Sequence, residues 1–513
     1  MGVGPPRLDK YDKILSRLFE NLALFHVLKG IDGPHMITAH APTDVRGIRR
    51  RFLKNLCFIC DYRKGGDTTT SIALESQTNE VILWVAANFT PHNNVILFLD
   101  DILQQLQRDP KGTEEGRERL RKKLTKKCVD FAAPRPKKEC KLLLRATRYC
   151  EKYLKEDATA VQGAERRSLL EWLPRFSATN IDTLVLCQTA YDSRHDPQMS
   201  SLGSLSRELG VAPRETVMSI KAVRHLIGRL AERIRIPTLL IEDFLKLGLL
   251  FNSYQIKKVQ APTPAIVPPA DGLRNLNSIL KRILQPGDPR FKDMQSYLAR
   301  LDGPLKLEEA IRSMYDEDNG QARVHSEIQV LEEFHRNQRS FVDGDRYIAC
   351  SKLACLCCKF YFRHHPGRFE EPESHQKAYL NWRPIKLPGG WENEHWPHQR
   401  KALGMLSSEL STAVEKQIET QQQPTPWQPD SVTNITETIS SVSLGEAEAD
   451  EVLGIGDGWS DDEFITDECQ LSNDILTSIL TDSASLAHIN EDEFSDQSED
   501  SDTESDGGAG LDA

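Results

Sequence analysis

No uninterrupted apolar run in the 513-residue chain approaches the roughly 18 residues that a membrane-spanning helix needs, which sets a membrane protein aside. The amino terminus, MGVGPPRLDKYDKIL, has no basic start followed by an apolar stretch, so a secretory signal is not expected. Gly2 lacks the downstream Ser or Thr of a myristoylation signal. Paired-looking cysteines are missing too. The eleven are odd in number, and Cys350, Cys355, Cys357 and Cys358 crowd into nine residues, a poor layout for disulfides. A reducing intracellular compartment, cytoplasmic or nuclear, with metal chemistry is the expectation.

Lys and Arg are absent from Pro424 to Ala513, where 24 acidic residues fall. The net charge of −11 therefore conceals a basic body, with 65 basic residues against the remaining 52 acidic ones. Such asymmetry suits an anionic partner for the body and a competing or solubilising role for the tail. Residues 106–148 hold 15 Lys plus Arg against 6 acidic groups. They read either as a solvated helical face or as an electrostatic footprint for nucleic acid.

The length suits two or three domains. Residues 1–67 form a helical region, with Ile14, Leu18, Leu22, Leu24 and Phe25 at helical spacing. In 68–90, SIALES and EVILWVAAN read as two strands joined by SQTN, a hairpin candidate. Residues 91–260 return to a helical pattern as an insertion or a domain, and the Pro-rich 261–272 marks a connector. Residues 273–415 hold two short helical pieces and then the motifs below. Residues 416–513, opening near TQQQPTPWQPD, are too polar to bury a core and are expected to be disordered.

The chemistry concentrates in RVHSEIQVLEEFHRNQRSFVDGDRYIACSKLACLCCKFYFRHH (323–365). His325-Ser326-Glu327 opens a stretch whose Ile328, Leu331 and Phe334 lie at helical spacing, so His325 and Glu327 reach one cavity at a helix start. DRYIAC (345–350) alternates like a strand, and Cys355 and Cys358 form a CxxC pair at the start of another apolar helix. One imidazole and two thiolates suit zinc, and three protein ligands leave a fourth position for water. Zn2+ brings that water towards neutrality in pKa. Glu327 is placed to take its proton.

This pattern resembles the nucleic acid and nucleotide deaminase superfamily, whose zinc signature is H-x-E with P-C-x-x-C, and in particular its fungal-expanded OTT-type branch. The branch's Ser-Lys-x-x-Cys-x-x-Cys arrangement matches Ser351-Lys352-Leu353-Ala354-Cys355-Leu356-Cys357-Cys358, with Ala354 where most members carry proline. SHQKAYLNWRPIKLP (374–388) resembles the branch as well, with His375, Lys377 and Trp382 as pocket or packing residues beside Ser351 and Lys352. The resemblance implies an α/β deaminase-like core, a mixed sheet with zinc-bearing helices, within a mostly α-helical protein. It also implies hydrolytic deamination of cytosine or adenine in a nucleic acid or nucleotide. The superfamily core begins with a hairpin, and 68–88 supplies one. Asn88 would then stand near a ribose or backbone. An ordinary hairpin of a separate domain is the competing reading.

Blander readings stand beside these. A closed structural zinc site would recruit Cys357 or Cys350 as a fourth ligand, and a metal-competent site can be inactive. A non-catalytic, zinc-stabilised interaction protein and a nucleic-acid-binding protein without catalysis are the alternatives. Cys57 and Cys60 read as buried thiols. His335, His364, His365, His395 and His398 read as surface or capping residues, and Trp382 and Trp391 as packing or stacking groups. In the tail, GDGWSDDEF (456–464) and NDILTSIL (473–480) resemble docking segments for a protein partner, and FSDQSEDSDTESD (494–506) offers serines to acidophilic kinases.

Overall fold

Two apolar runs rich in β-branched residues, separated by a polar tetrad, fold into a hairpin that organises one half of the molecule. A computed structural model describes residues 8–28, 36–37, 44–108, 113–156, 163–178, 181–208, 214–265, 275–313 and 321–420. The chain runs through α1 (Lys10–Val27), α2 (Val45–Cys60), β1 (Thr70–Ser76), β2 (Val81–Ala87), α3 (Asn93–Arg108), α4 (Glu114–Phe131), α5 (Pro134–Glu156), α6 (Gly163–Trp172), α7 (Thr183–Ser193), α8 (Pro197–Glu208) and α9 (Arg214–Leu247). It continues through β3 (Tyr254–Lys258), α10 (Leu276–Ile283), α11 (Phe291–Leu305), α12 (Leu307–Ser313), α13 (Ser326–Arg336), β4 (Ala349–Cys350), α14 (Leu356–His364) and α15 (Trp396–Glu419).

β1 and β2 pair antiparallel from Thr70↔Ala87 to Ser76↔Val81. Successive side chains point to opposite faces, so the hairpin divides two cores. Ala73, Ile82, Trp84 and Ala86 face the layer of α13 and α14. Ile72, Leu74, Val81, Leu83 and Val85 face α2, α3 and the end of α9. Burial on both faces is why these strands read as near-continuous apolar runs.

β4 adds to β1, antiparallel, with Ser71↔Cys350 and Ile72↔Ala349, although 277 residues separate Ile72 from Ala349. β3 runs parallel beside β2, completing the order β3-β2-β1-β4. Here the structure departs from the sequence reading in two places. Residues 254–258 are a strand inside the stretch read as helical. YQIKK is a largely exposed edge strand held by backbone pairing, so it carries no apolar signal. The strand read over 345–350 shortens to two residues, because Val342–Gly344 turns and the Asp345 carboxylate receives Arg49 and Arg50.

A third core lies in the helical stretch, where Leu143, Trp172, Phe176, Leu226 and Leu230 pack together. The 34-residue α9, about 50 Å long, contributes its first half to this core and its residues from Ile236 onward to the sheet. Pro237, which has no N–H to continue the ladder, sits at the handover. α1 packs on α15, where the Asn21 amide donates to Ser411 Oγ at 2.8 Å.

One buried carboxylate joins the helical stretch to the motif region. Asp61 accepts from Arg135 at 2.6 Å, Thr68 at 2.7 Å and Ser351 at 3.2 Å. Burial works against the charged form, yet Arg135 and Lys352 hold the Asp61 carboxyl below its usual range. Asp61→Asn leaves Arg135 short of countercharge in the interior. It is expected to cost about 3 kcal/mol, read as a lower urea midpoint at unchanged slope.

Cys57 and Cys60 are buried in the second core. Among the described residues no helix is long and apolar enough to cross a membrane. Connector residues 266–272 lie outside the described residues. So do the tail segments 456–464, 473–480 and 494–506.

Candidate active site

The apolar stripe Ile328, Leu331 and Phe334 seats α13 on the hairpin. Its start is pinned there by buried polar groups. Gln329 Nε2 donates to the carbonyls of Ala87 (2.9 Å) and Val324 (2.8 Å), and the Ser326 and Ser71 hydroxyls meet at 2.8 Å. α14 starts just after β4. Its N-cap is Cys355, whose Sγ accepts the Cys358 N–H at 3.4 Å. His325 holds the same N-cap position on α13. Both helices thus bring the positive ends of their dipoles, and the side chains of their N-cap residues, to one point.

At that point His325 Nδ1 lies 3.5 Å from Cys355 Sγ and 3.4 Å from Cys358 Sγ. Zinc bonds of about 2.3 Å to sulfur and 2.0–2.1 Å to nitrogen, at a tetrahedral angle, require a nitrogen–sulfur separation of about 3.5 Å. The donor set fits the ion. Among the described residues these three ligand atoms form a group within 4.8 Å of one another, and no fourth His, Cys, Asp or Glu joins them. Cys357 and Cys350 stay outside it, so the described residues leave a coordination position open.

The electrostatics match that role. Burial opposes a thiolate at Cys355, but hydrogen bonds from Cys357 and Cys358 and the nearby His325 bring its pKa well below the usual thiol value. Burial raises Cys358 instead. Glu327 is buried, two residues past the N-cap, with the Ser326 hydroxyl 3.4 Å from its Oε2. Burial lifts its carboxyl above the ordinary range, while His325 and the Cys358 thiol pull the other way. A carboxyl lifted towards neutrality is suited to taking and returning a proton.

Residues 324–386 match the family model of the OTT_1508-like deaminases. This stretch of the chain is similar to that deaminase family. The match spans α13, β4 and α14 and ends before α15. Neither among curated proteins nor among solved structures is there a match to the chain.

Within the matched stretch, Trp382 is buried, and its indole N–H donates to Cys358 Sγ at 3.2 Å. A parallel bridge between its backbone and Arg323, just before α13, places it there. Its polar edge is turned to the Cys358 sulfur. Trp382→Phe removes that donor and is expected to weaken metal binding roughly 10–100-fold, measured by competition with a chromophoric chelator.

The other nominated residues sit close by. Asn88 Oδ1 accepts the Ser326 N–H, and its amide donates to the Gly66 carbonyl, both at 2.8 Å, so it anchors the start of α13. Ser351 bonds Asp61 and the Thr70 N–H, and Lys352 Nζ donates to the Gly65 carbonyl at 2.7 Å. These contacts tie the loop before Cys355 to the loop before β1. The 373–377 segment runs beside 354–356. The His375 N–H donates to the Ala354 carbonyl at 3.1 Å, and the Lys377 carbonyl accepts the Leu356 N–H at 2.8 Å.

Tyr379 escaped the sequence reading. Its ring meets His325 edge-on at 6.2 Å and His375 at 5.3 Å. The only signal for it was its place inside SHQKAYLNW. Trp391 stands apart, exposed, with Lys10 Nζ 4.6 Å above its ring.

Proposed function

We propose that this protein is a zinc-dependent hydrolytic deaminase acting on a nucleobase, cytosine or adenine, in a nucleic acid or nucleotide. The observation that carries the reading is the meeting of His325 Nδ1 with the Cys355 and Cys358 sulfurs at zinc-compatible spacing, with Glu327 in the same helical turn. Zinc held by those three residues supplies a water of near-neutral pKa. Glu327 takes a proton from the attacking water, passes it to the ring nitrogen, and later protonates the departing amine. Trp382 and the Cys358 N–H steady the two thiolates.

The pairing of β1 with β4 supports a catalytic sheet interrupted by the helices between β2 and β3. The basic stretch 106–148 on α3, α4 and α5 favours a polynucleotide, whose base must be flipped out or single-stranded. Docking of a protein partner on the acidic tail belongs to the same proposal. The described cysteines, all free thiols, support an intracellular setting.

Incubating the zinc-loaded chain with single-stranded DNA and RNA and with free nucleotides tests this directly. Ammonia release from a cytosine or adenine substrate, lost on chelation, is the expected result. One observation favours a second reading, a zinc-stabilised interaction protein: the polar atoms of Asn88, Ser351, Lys352 and Trp382 are engaged within the fold. Stoichiometric zinc with no ammonia from any base would select it.

A further inference from the structure

The helices carrying the His325, Cys355 and Cys358 set bring a second cluster together at their opposite ends. Glu332 lies seven residues beyond His325 on α13, about 10 Å along the axis, and His335 follows one turn later. His365 caps the far end of α14. One ligand atom from each of Glu332, His335 and His365 lies within 4.8 Å of the others. His365 Nε2 is 3.6 Å from Glu332 Oε1, and the His335 and His365 rings stand 4.6 Å apart at 85°. His395, the N-cap of α15, brings its ring to 6.2 Å from His335, and His398 acts on the same imidazole. Two of the chain's 14 histidines meet one buried carboxylate, and two more lie near His335.

Packing alone gives poor reason for that gathering, since protonated imidazoles repel one another while neutral ones can share a cation. The carboxylate is supported as ligating carboxylates are. Tyr361 Oη donates to Glu332 Oε1 at 2.5 Å and Arg336 Nε to Oε2 at 3.1 Å.

We propose that Glu332, His335 and His365 form a second divalent-metal site of the zinc class, clamping the ends of α13 and α14 beside α15. Two imidazoles and a carboxylate are a recognised zinc donor set. The Gly367 N–H donates to His365 Nδ1 at 3.1 Å, so the neutral ring carries its proton on Nε2. Metal at Nε2 moves that proton to Nδ1, and the Gly367 amide gives up this acceptor. The site stands independently of the deaminase reading.

Cobalt titration of the full, metal-stripped chain separates the two sites, because only cysteine sulfur gives thiolate-to-cobalt charge transfer. Two equivalents are expected, one with that band and one with d–d bands alone. His335→Ala and His365→Gln are each expected to lose the second equivalent and keep the thiolate band. Uptake in the wild type that ends with the thiolate-bound equivalent overturns the proposal even if the variants misfold. So does a second equivalent unmoved by both substitutions. A second-type equivalent without any thiolate band would support this site while removing the metal set on which the deaminase reading depends.

Discussion

Glu327→Gln is expected to leave zinc stoichiometry unchanged while lowering ammonia release by a factor of about 10²–10⁴, the range attributed to a positioned acid–base group. The carboxyl is two residues beyond the α13 cap and outside the ligand group, so the isosteric amide keeps the packing among Ser326, Cys358 and Cys350. What it loses is the ability to accept a proton and hand it on. Zinc content together with single-turnover ammonia release on the same preparation checks this. A variant that loses zinc along with activity would show Glu327 to be a ligand or a structural support. One that keeps full activity would remove it from the chemistry.

Metal removal is the second large effect. At free zinc a thousandfold above its dissociation constant, one site stabilises the folded chain by about 4 kcal/mol, so chelation or Cys358→Ala is expected to lower the thermal midpoint clearly. The loss should be uneven. His325, Cys355 and Cys358 sit at the starts of α13 and α14, whereas Leu143, Trp172, Phe176 and Leu226 belong to a separate core with none of these ligands. Hydrogen exchange after chelation is therefore expected to rise over 324–364 and stay unchanged over α5 to α8. Uniform loosening, or none, would argue against a metal that ties the two helices.

The candidate metal set was legible because ligand chemistry imposes spacing. An imidazole, a glutamate two residues on, a CxxC pair and helical apolar positions at Ile328, Leu331 and Phe334 are all local. The hairpin was legible because its strands are apolar and its turn polar. That its partner strand is Ala349–Cys350 could be proposed but not read, since backbone pairing across 277 residues leaves no local trace. β3 was missed for the opposite reason: an exposed edge strand with two lysines has no periodic signature.

The nominated substrate residues show where motif reading ends. Ser351 and Lys352 stand in the motif, but their partners, Asp61 and Gly65, lie nearly 290 residues upstream and anchor a loop. Trp382 serves a sulfur. Asp61 itself, which joins Arg135, Thr68 and Ser351, drew no notice in the sequence because each of its contacts is created by folding.

X-ray absorption at the zinc edge, on full-length protein given one equivalent of zinc, addresses the coordination sphere itself. The donor set built here predicts two sulfurs near 2.3 Å and two lighter nitrogen or oxygen ligands near 2.0 Å, one of them water. Three or four sulfurs would mean that Cys357 or Cys350 closes the site, and the catalytic account would be contradicted.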